Sequence, residues 1–271
     1  MRTLFFTILS FLIMSLTASA FNVQEVKVFS ESMKKDIPVM VVIPDGYDSK
    51  ESFPVVYLLH GYSDNHRTWT ERTDVEALAD LYDVLIVMPD GGFDSWYVDS
   101  QFAKDYQYET FVSSELVAFV DGNFKTIRNR SGRAITGLSM GGHGAMHTAI
   151  KHQDVFGCVG STSGGVDIRP FPDSWNLATR LGPIHKYPEN WENATVVNLT
   201  GMLTPESLNI IIDCGVDDFF YEVNCRLHEK LLKEGIPHDF HTRPGRHNWT
   251  YWKNSIKYQM LFFAECFSKS L

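Results

Sequence analysis

Short apolar runs separated by longer stretches of helical period constrain this chain more than any other feature. From residue 37 onward the runs are Ile37–Ile43, Pro54–Leu59, Val84–Met88, Ala134–Leu138, Phe156–Ser161, Leu208–Ile212 and His238–Thr242. Several, such as Val84-Leu85-Ile86-Val87, are apolar at every position, so both faces of the strand have to be covered. That is the pattern of a parallel sheet held between helical layers. Helical candidates fill the intervals at 73–82, 107–123, 140–152, 219–234 and 249–266. Within 107–123, Phe111, Val112, Leu116, Phe119 and Val120 recur at three- and four-residue spacing, which gathers them on one face. The alternation predicts an α/β fold with a mostly parallel central sheet, flanked by helices and joined by right-handed crossovers. Residues 163–206 break the rhythm with Pro170, Pro172, Pro183, Pro188 and Pro205, and with Trp175 and Trp191. We read this stretch as a short cap-like insertion lining one side of a cleft, because long ordered loops in compact domains tend to carry function.

Residues 1–20 stand apart from that domain. Arg2, an apolar run from Leu4 to Leu16 and the small residues Ala18-Ser19-Ala20 form the pattern of a signal peptide with its cleavage site. The run is too short to span a bilayer comfortably. The expectation is a single domain over 21–271, secreted or periplasmic, with no stable membrane insertion. Lys and Arg number 24 against 33 Asp and Glu, a net charge of −9, and no basic run interrupts that balance. Nucleic acid is therefore not an expected partner. The four cysteines lack the spacing of a metal cluster; Cys158 and Cys214 fall in strand-like runs and Cys225 and Cys266 in helix-like ones, as buried thiols do. His228-Glu229 lacks the second histidine of a HExxH site, and no Gly-rich phosphate loop occurs. Neither a metal nor a cofactor is expected.

The chemistry concentrates at Gly137-Leu138-Ser139-Met140-Gly141, which follows one strand run directly and opens a helix. Small residues on either side of Ser139 permit a tight strand-to-helix turn that lifts its hydroxyl above the sheet edge, over a positive helix N-terminus. A serine nucleophile needs a base, and the base needs an orienting acid. In a turn of this kind the chain order is serine, acid, histidine, which discards His60, His66, His143, His147 and His152. The acid belongs in the exit of the Leu208–Ile212 strand, where Asp218 is the first choice and Asp217 the second. His228 lies mid-helix, and His238 and His241 lie on the last strand. His247 lies in the loop Pro244-Gly245-Arg246-His247-Asn248-Trp249 at the carboxyl end of that strand, from which a base reaches back over the sheet; it is chosen over His241.

A tetrahedral intermediate needs two backbone N–H donors. Met140, the residue after the nucleophile, supplies one. Tyr62, in the loop Leu58-Leu59-His60-Gly61-Tyr62, supplies the other, and His60 holds that loop by hydrogen bonding. Trp96 and Trp249, both beside strand-end loops, are the candidate substrate-binding aromatics, since rings bind flat or hydroxylated surfaces by stacking.

These segments, with Asp90-Gly91-Gly92-Phe93-Asp94-Ser95-Trp96-Tyr97, resemble the esterase D / putative esterase family of α/β-hydrolases over most of residues 30–266. That family includes feruloyl and acetyl-xylan esterases of carbohydrate esterase family 1, S-formylglutathione hydrolases, tributyrin esterases and mycolyltransferases. The resemblance implies an α/β-hydrolase fold, with Ser139, Asp218 and His247 matching the triad and Tyr62 and Met140 the oxyanion hole. It also implies ester hydrolysis through an acyl-enzyme, but neither the acyl group nor the alcohol; the leading expectation is removal of acetyl or feruloyl groups from plant polysaccharide, with an acylated polysaccharide or oligosaccharide as the ester substrate. Two other readings are a broad-specificity short-chain esterase and an S-formylglutathione hydrolase-like thioesterase. A non-catalytic binding module on a hydrolase scaffold would have no use for the three residues together.

Overall fold

A computed structural model of the protein describes residues 22–270; the expected signal peptide lies outside them. Eight strands form one sheet: β1 (Asn22–Ser30), β2 (Lys35–Ile43), β3 (Val55–Leu59), β4 (Leu85–Pro89), β5 (Arg133–Gly137), β6 (Cys158–Thr162), β7 (Asn209–Gly215) and β8 (Asp239–Arg243). Their spatial order is β1-β2-β4-β3-β5-β6-β7-β8. β1 and β2 make an antiparallel hairpin in which Asn22 faces Ile43 and Ser30 faces Lys35, and β2 lies antiparallel to β4. From β4 to β8 every pairing is parallel.

The seven expected strands are all present, with no end shifted by more than three residues. β1 is additional. It is an edge strand whose Gln24, Glu25, Lys27 and Phe29 are exposed while Val28 and Ser30 are buried. A strand covered on one side only, and carrying charges on the other, shows no apolar run to find.

The pleat divides the core in two. Val55, Tyr57 and Leu59 enter one layer, while Val56 and Leu58 enter the other. Residues of the helices Met140–Lys151 and Tyr221–Lys233, and of 108–123, fill the first layer. The second is filled from Val75–Tyr82 and the long helix Trp249–Ser270. Burial of these faces is the main source of stability in such a sandwich of layers.

The connection after β3 leads to β4 on one side, and the chain then crosses back to place β5 on the other. The connections leaving the carboxyl ends of β3 and β5 therefore run to helices on opposite faces of the sheet, and the crevice between them is where open α/β sheets bind ligands. Over 163–206 the chain forms only the short helices Leu177–Leu181, Pro188–Ala194 and Val196–Leu199 and one 3-10 turn. None of the four cysteines is joined in a disulfide; Cys225 is half-buried and the other three are buried. Among the described residues no helix is long and apolar enough to cross a membrane, and no group of three His, Cys, Asp or Glu side chains is placed to hold a metal ion.

Candidate active site

Ser139 sits between β5 and the Met140–Lys151 helix at φ 54° and ψ −115°, a conformation that costs a non-glycine residue energy. Glycine makes the turn sterically feasible. A Cβ on Gly141 would lie 2.5 Å from the Leu59 carbonyl oxygen and 2.6 Å from that of His60, so the helix could not approach β3 with any larger residue there. Backbone bonds hold the turn in place: the Ser139 N–H donates to the Thr162 carbonyl at 3.0 Å, and the Ser139 carbonyl accepts from His143 at 3.0 Å.

The loops after β7 and β8 bring two further residues to that hydroxyl. The Ser139 Oγ and the His247 Nε2 are 2.9 Å apart. His247 Nδ1 is 2.8 Å from Asp218 Oδ2 and 3.0 Å from Oδ1. An ionised carboxylate only accepts, so Nδ1 carries the proton and Nε2 is left to accept from the serine. The Asp218 side chain has no exposed surface, and its Oδ1 also accepts the Phe220 N–H at 2.8 Å, which ties the acid to the start of the next helix. Asp217 is exposed, and its backbone N–H donates to the Gly245 carbonyl at 2.9 Å. His241 stays on β8, 3.9 Å from Asp239.

The loop after β3 closes on the other side. A Cβ on Gly61 would meet Leu138 Cδ1 at 2.5 Å and Ser139 Cβ at 3.7 Å, so the Gly61-Tyr62 backbone runs directly beside the serine. As the first residue of its helix, Met140 has an N–H with no intrahelical acceptor, and the Tyr62 N–H donates to no backbone carbonyl among the described residues. His60 fixes this loop. Its Nε2 accepts the Gly91 N–H at 2.7 Å and its Nδ1 donates to the Gly61 carbonyl at 2.8 Å. Burial holds this imidazole below its ordinary pKa, consistent with the neutral tautomer those two bonds require.

Above these groups lies a cavity of about 230 Å³, lined by Gly61, Tyr62, Asp64, Leu138, Ser139, Trp175, Phe219, His247 and Trp252. Residues 30–263 match the family model described as Putative esterase. The chain belongs to that family. It is a carboxylic ester hydrolase. An acetyl esterase from Caldicellulosiruptor saccharolyticus is 28% identical, over 86% of this chain and 95% of its own. An esterase from Mycobacterium tuberculosis is 31% identical over 77% of this chain and 52% of its own, so this chain spans about half the length of that relative. The structure of a ferulic acid esterase superposes with a TM-score of 0.79 at 26% identity, covering 91% of this chain and 98% of that one. An S-formylglutathione hydrolase from Staphylococcus aureus gives 0.80 at 22% identity, covering 91% and 100%, a likeness of fold.

In this esterase two expected substrate contacts require correction. Trp96 is 1% exposed and lies behind the cavity wall, where its indole N–H donates to the Trp175 carbonyl at 3.2 Å. Trp249 is half-buried against Trp69 and Trp252, with centroids 5.2 Å and 5.3 Å away, and is absent from the cavity lining. Each ring is packed against a residue distant in sequence, Trp96 against Trp175 and Trp249 against Trp69, so a place beside a strand end does not settle which way it faces.

The aromatics that do line the cavity are Tyr62, Trp175, Phe219 and Trp252. Trp175 comes from the proline-rich insertion and stacks on Phe219 at 5.6 Å; Phe219 in turn lies 4.1 Å from the His247 ring. The signals for them were modest: Phe219 adjoins Asp218, and Trp252 lies one helical turn beyond Trp249. The insertion is anchored by Asp94, which accepts from Arg180 at 2.8 Å and Asn176 at 3.0 Å. It is anchored again by His143, whose ring nitrogens lie 2.9 Å from the Trp96 carbonyl and 2.8 Å from that of Ala194.

Proposed function

We propose that the protein is a secreted serine esterase in which Ser139 attacks the ester carbonyl, His247 takes and returns the proton, and Asp218 orients the imidazole. The single observation that carries this reading is the continuous hydrogen-bonded path from the Ser139 Oγ through His247 to a fully buried Asp218 carboxylate. In the first half-reaction the serine oxygen bonds to the carbonyl carbon, and the alcohol leaves with the proton held by His247. Water then repeats the sequence to release the acid. The N–H groups of Tyr62 and Met140 face the charge that develops on the carbonyl oxygen, a contribution of about 3–4 kcal/mol per donor in comparable sites.

The acyl group we propose is acetyl or hydroxycinnamoyl, carried on plant polysaccharide. A cavity of about 230 Å³ suits a small acyl group or one flat ring, and Trp175 and Phe219 offer stacking faces for that ring. The names of the acetyl esterase and ferulic acid esterase relatives support the same choice. Export rests on Arg2, the Leu4–Leu16 run and Ala18-Ser19-Ala20.

The test is rapid mixing with p-nitrophenyl acetate. A burst of p-nitrophenol equal to the enzyme concentration, abolished in Ser139→Ala, is expected, together with an acetyl adduct on the Ser139 peptide by mass spectrometry. Turnover by Ser139→Ala at the wild-type rate would exclude the mechanism. Hydrolysis of acetyl-xylan and methyl ferulate, measured side by side, then reads the acyl preference.

A further inference from the structure

The cavity holds one carboxylate that the reaction above does not use. Asp64 lies in the turn after the Gly61-Tyr62 segment, half-buried, and its Oδ2 stands 3.4 Å from the position of a Cβ on Gly61, itself 3.7 Å from Ser139 Cβ. Asp64 shares the cavity wall with Ser139 and His247. Among the described residues it makes no ion pair and no hydrogen bond to another side chain. The Gly61 backbone favours its ionised form, and Arg72, on the neighbouring helix Thr68–Arg72, acts only through the field of its charge. A carboxylate offers about four acceptor sites, and a partly desolvated one left short of donors is unfavourable. The same cavity includes Trp252, whose indole N–H is buried with no acceptor among the described residues. An aryl or alkyl ester without hydroxyls can accept from Trp252 but has no donor for Asp64. A ring bearing hydroxyls both donates and accepts.

We propose that Asp64 is a specificity-determining residue that accepts a hydrogen bond from a hydroxyl on the substrate, and so favours esters of hydroxylated alcohols over apolar ones. The proposal rests on the esterase reading above and names the residue through which the alcohol is read. Half-burial pushes the Asp64 carboxyl up to about 6, with the Gly61 backbone and then Arg72 opposing. The preference for hydroxylated alcohols therefore strengthens as pH rises through that value, where the group becomes a pure acceptor. The charged and titratable neighbours are Arg72 from its helix, the buried Tyr97, which feels the Asp64 charge, and Tyr62 and His247 on the cavity wall. His247 serves every ester alike, so its contribution cancels in a ratio of two substrates.

The experiment compares two acetates of equal ring size, a mono-O-acetyl methyl xylopyranoside and cyclohexyl acetate, for wild type, Asp64→Asn and Asp64→Ala. Rates are normalised to sites titrated by the p-nitrophenol burst, so misfolded protein does not count. We expect the ratio of kcat/KM, sugar ester over cyclohexyl ester, to fall about 10-fold in Asp64→Ala. The fall is expected to be smaller in Asp64→Asn, which keeps a carbonyl acceptor. The wild-type ratio should rise between pH 5 and pH 7 and be flat in Asp64→Asn. A ratio unchanged within about two-fold in both variants, or a pH-dependent ratio that survives Asp64→Asn, would overturn the proposal. Wild type that shows no burst and hydrolyses neither acetate would instead overturn the esterase reading.

Discussion

The phenolic hydroxyl of Tyr97 donates to the His60 carbonyl at 3.2 Å and accepts the His60 N–H at 3.1 Å. One side chain thus closes both backbone groups of the residue where β3 turns into the Gly61-Tyr62 loop. Tyr97 is completely buried, and its phenol is pushed well above the ordinary tyrosine pKa by that burial. Tyr97→Phe is expected to leave the His60 N–H and carbonyl without their partner, lowering stability by about 1–3 kcal/mol. It should also lower kcat more than it raises KM, because the loop that carries the Tyr62 N–H loosens. Thermal melts and steady-state kinetics check both, and unchanged kcat would detach the loop from the reaction.

Ser139→Ala removes one hydroxyl and is expected to reduce kcat by about 10³-fold or more with little change in melting temperature. His247→Ala should be comparably severe, whereas His241→Ala, on a strand facing solvent, should retain nearly full activity. Asp218→Asn is expected to be severe because an amide can donate to Nδ1 and turn the imidazole to the wrong tautomer. Asp217→Asn should be close to silent. A severe His241→Ala or Asp217→Asn phenotype would reassign the base or the acid.

Trp175 and Trp96 should separate by phenotype. Trp175→Ala opens the cavity wall that stacks on Phe219, so KM for methyl ferulate is expected to rise several-fold more than KM for a short acetate. Trp96→Ala removes a fully buried ring and should destabilise the fold by about 3–5 kcal/mol. Chemical denaturation of both variants, beside kinetics on the two esters, distinguishes a wall residue from a supporting one. Equal stability losses would refute the distinction.

Glu109 gives a pH-dependent stability whose sign follows from its surroundings. Burial raises its pKa, but His152 at 3.0 Å, the neighbouring His147 and Lys151 at 2.6 Å outweigh that and hold it at about 2 instead of 4.5. A depressed carboxylate stabilises the fold fully above its unfolded pKa and loses that effect as pH falls toward the folded one. Glu109→Gln should therefore melt below wild type at pH 7, with the gap narrowing from about pH 4.5 downward and closing near pH 2. Melting curves over that range are the check, and a constant gap would show that the charge does not contribute. Burial, opposed by the Glu109 charge, also holds His147 down to about 3, which lowers the acid stability of both proteins alike from pH 6.5 down to that value and leaves their difference over that range governed by Glu109.

Seven strands and the serine turn were readable in the sequence because each is encoded within a short window. Val84-Leu85-Ile86-Val87 must be covered on both faces wherever it lies, and Gly137 to Gly141 make one turn whatever surrounds them. The choice of Asp218 and His247 combined the chain order that follows a serine turn of this kind with the direction of a parallel sheet, whose loops gather at one edge. The Asp218 choice over Asp217 was narrower; the turn buries the Asp218 carboxylate beside His247 and leaves Asp217 exposed.

What only the tertiary structure decided is which residues face the serine. Trp96 lies in the expected loop and Trp249 opens the helix after one, yet Trp175, Phe219 and Trp252 form the wall; Trp175 is brought there because Asp94 and His143, remote in the chain, hold the insertion down through Arg180 and Ala194. β1 was likewise hidden, since an edge strand buries one face and its pattern takes meaning only once β2 is beside it. Periodicity fixes what a segment must do with its own apolar face. The direction a large ring points depends on volume left by neighbours many residues away, and that information exists only in the packed chain.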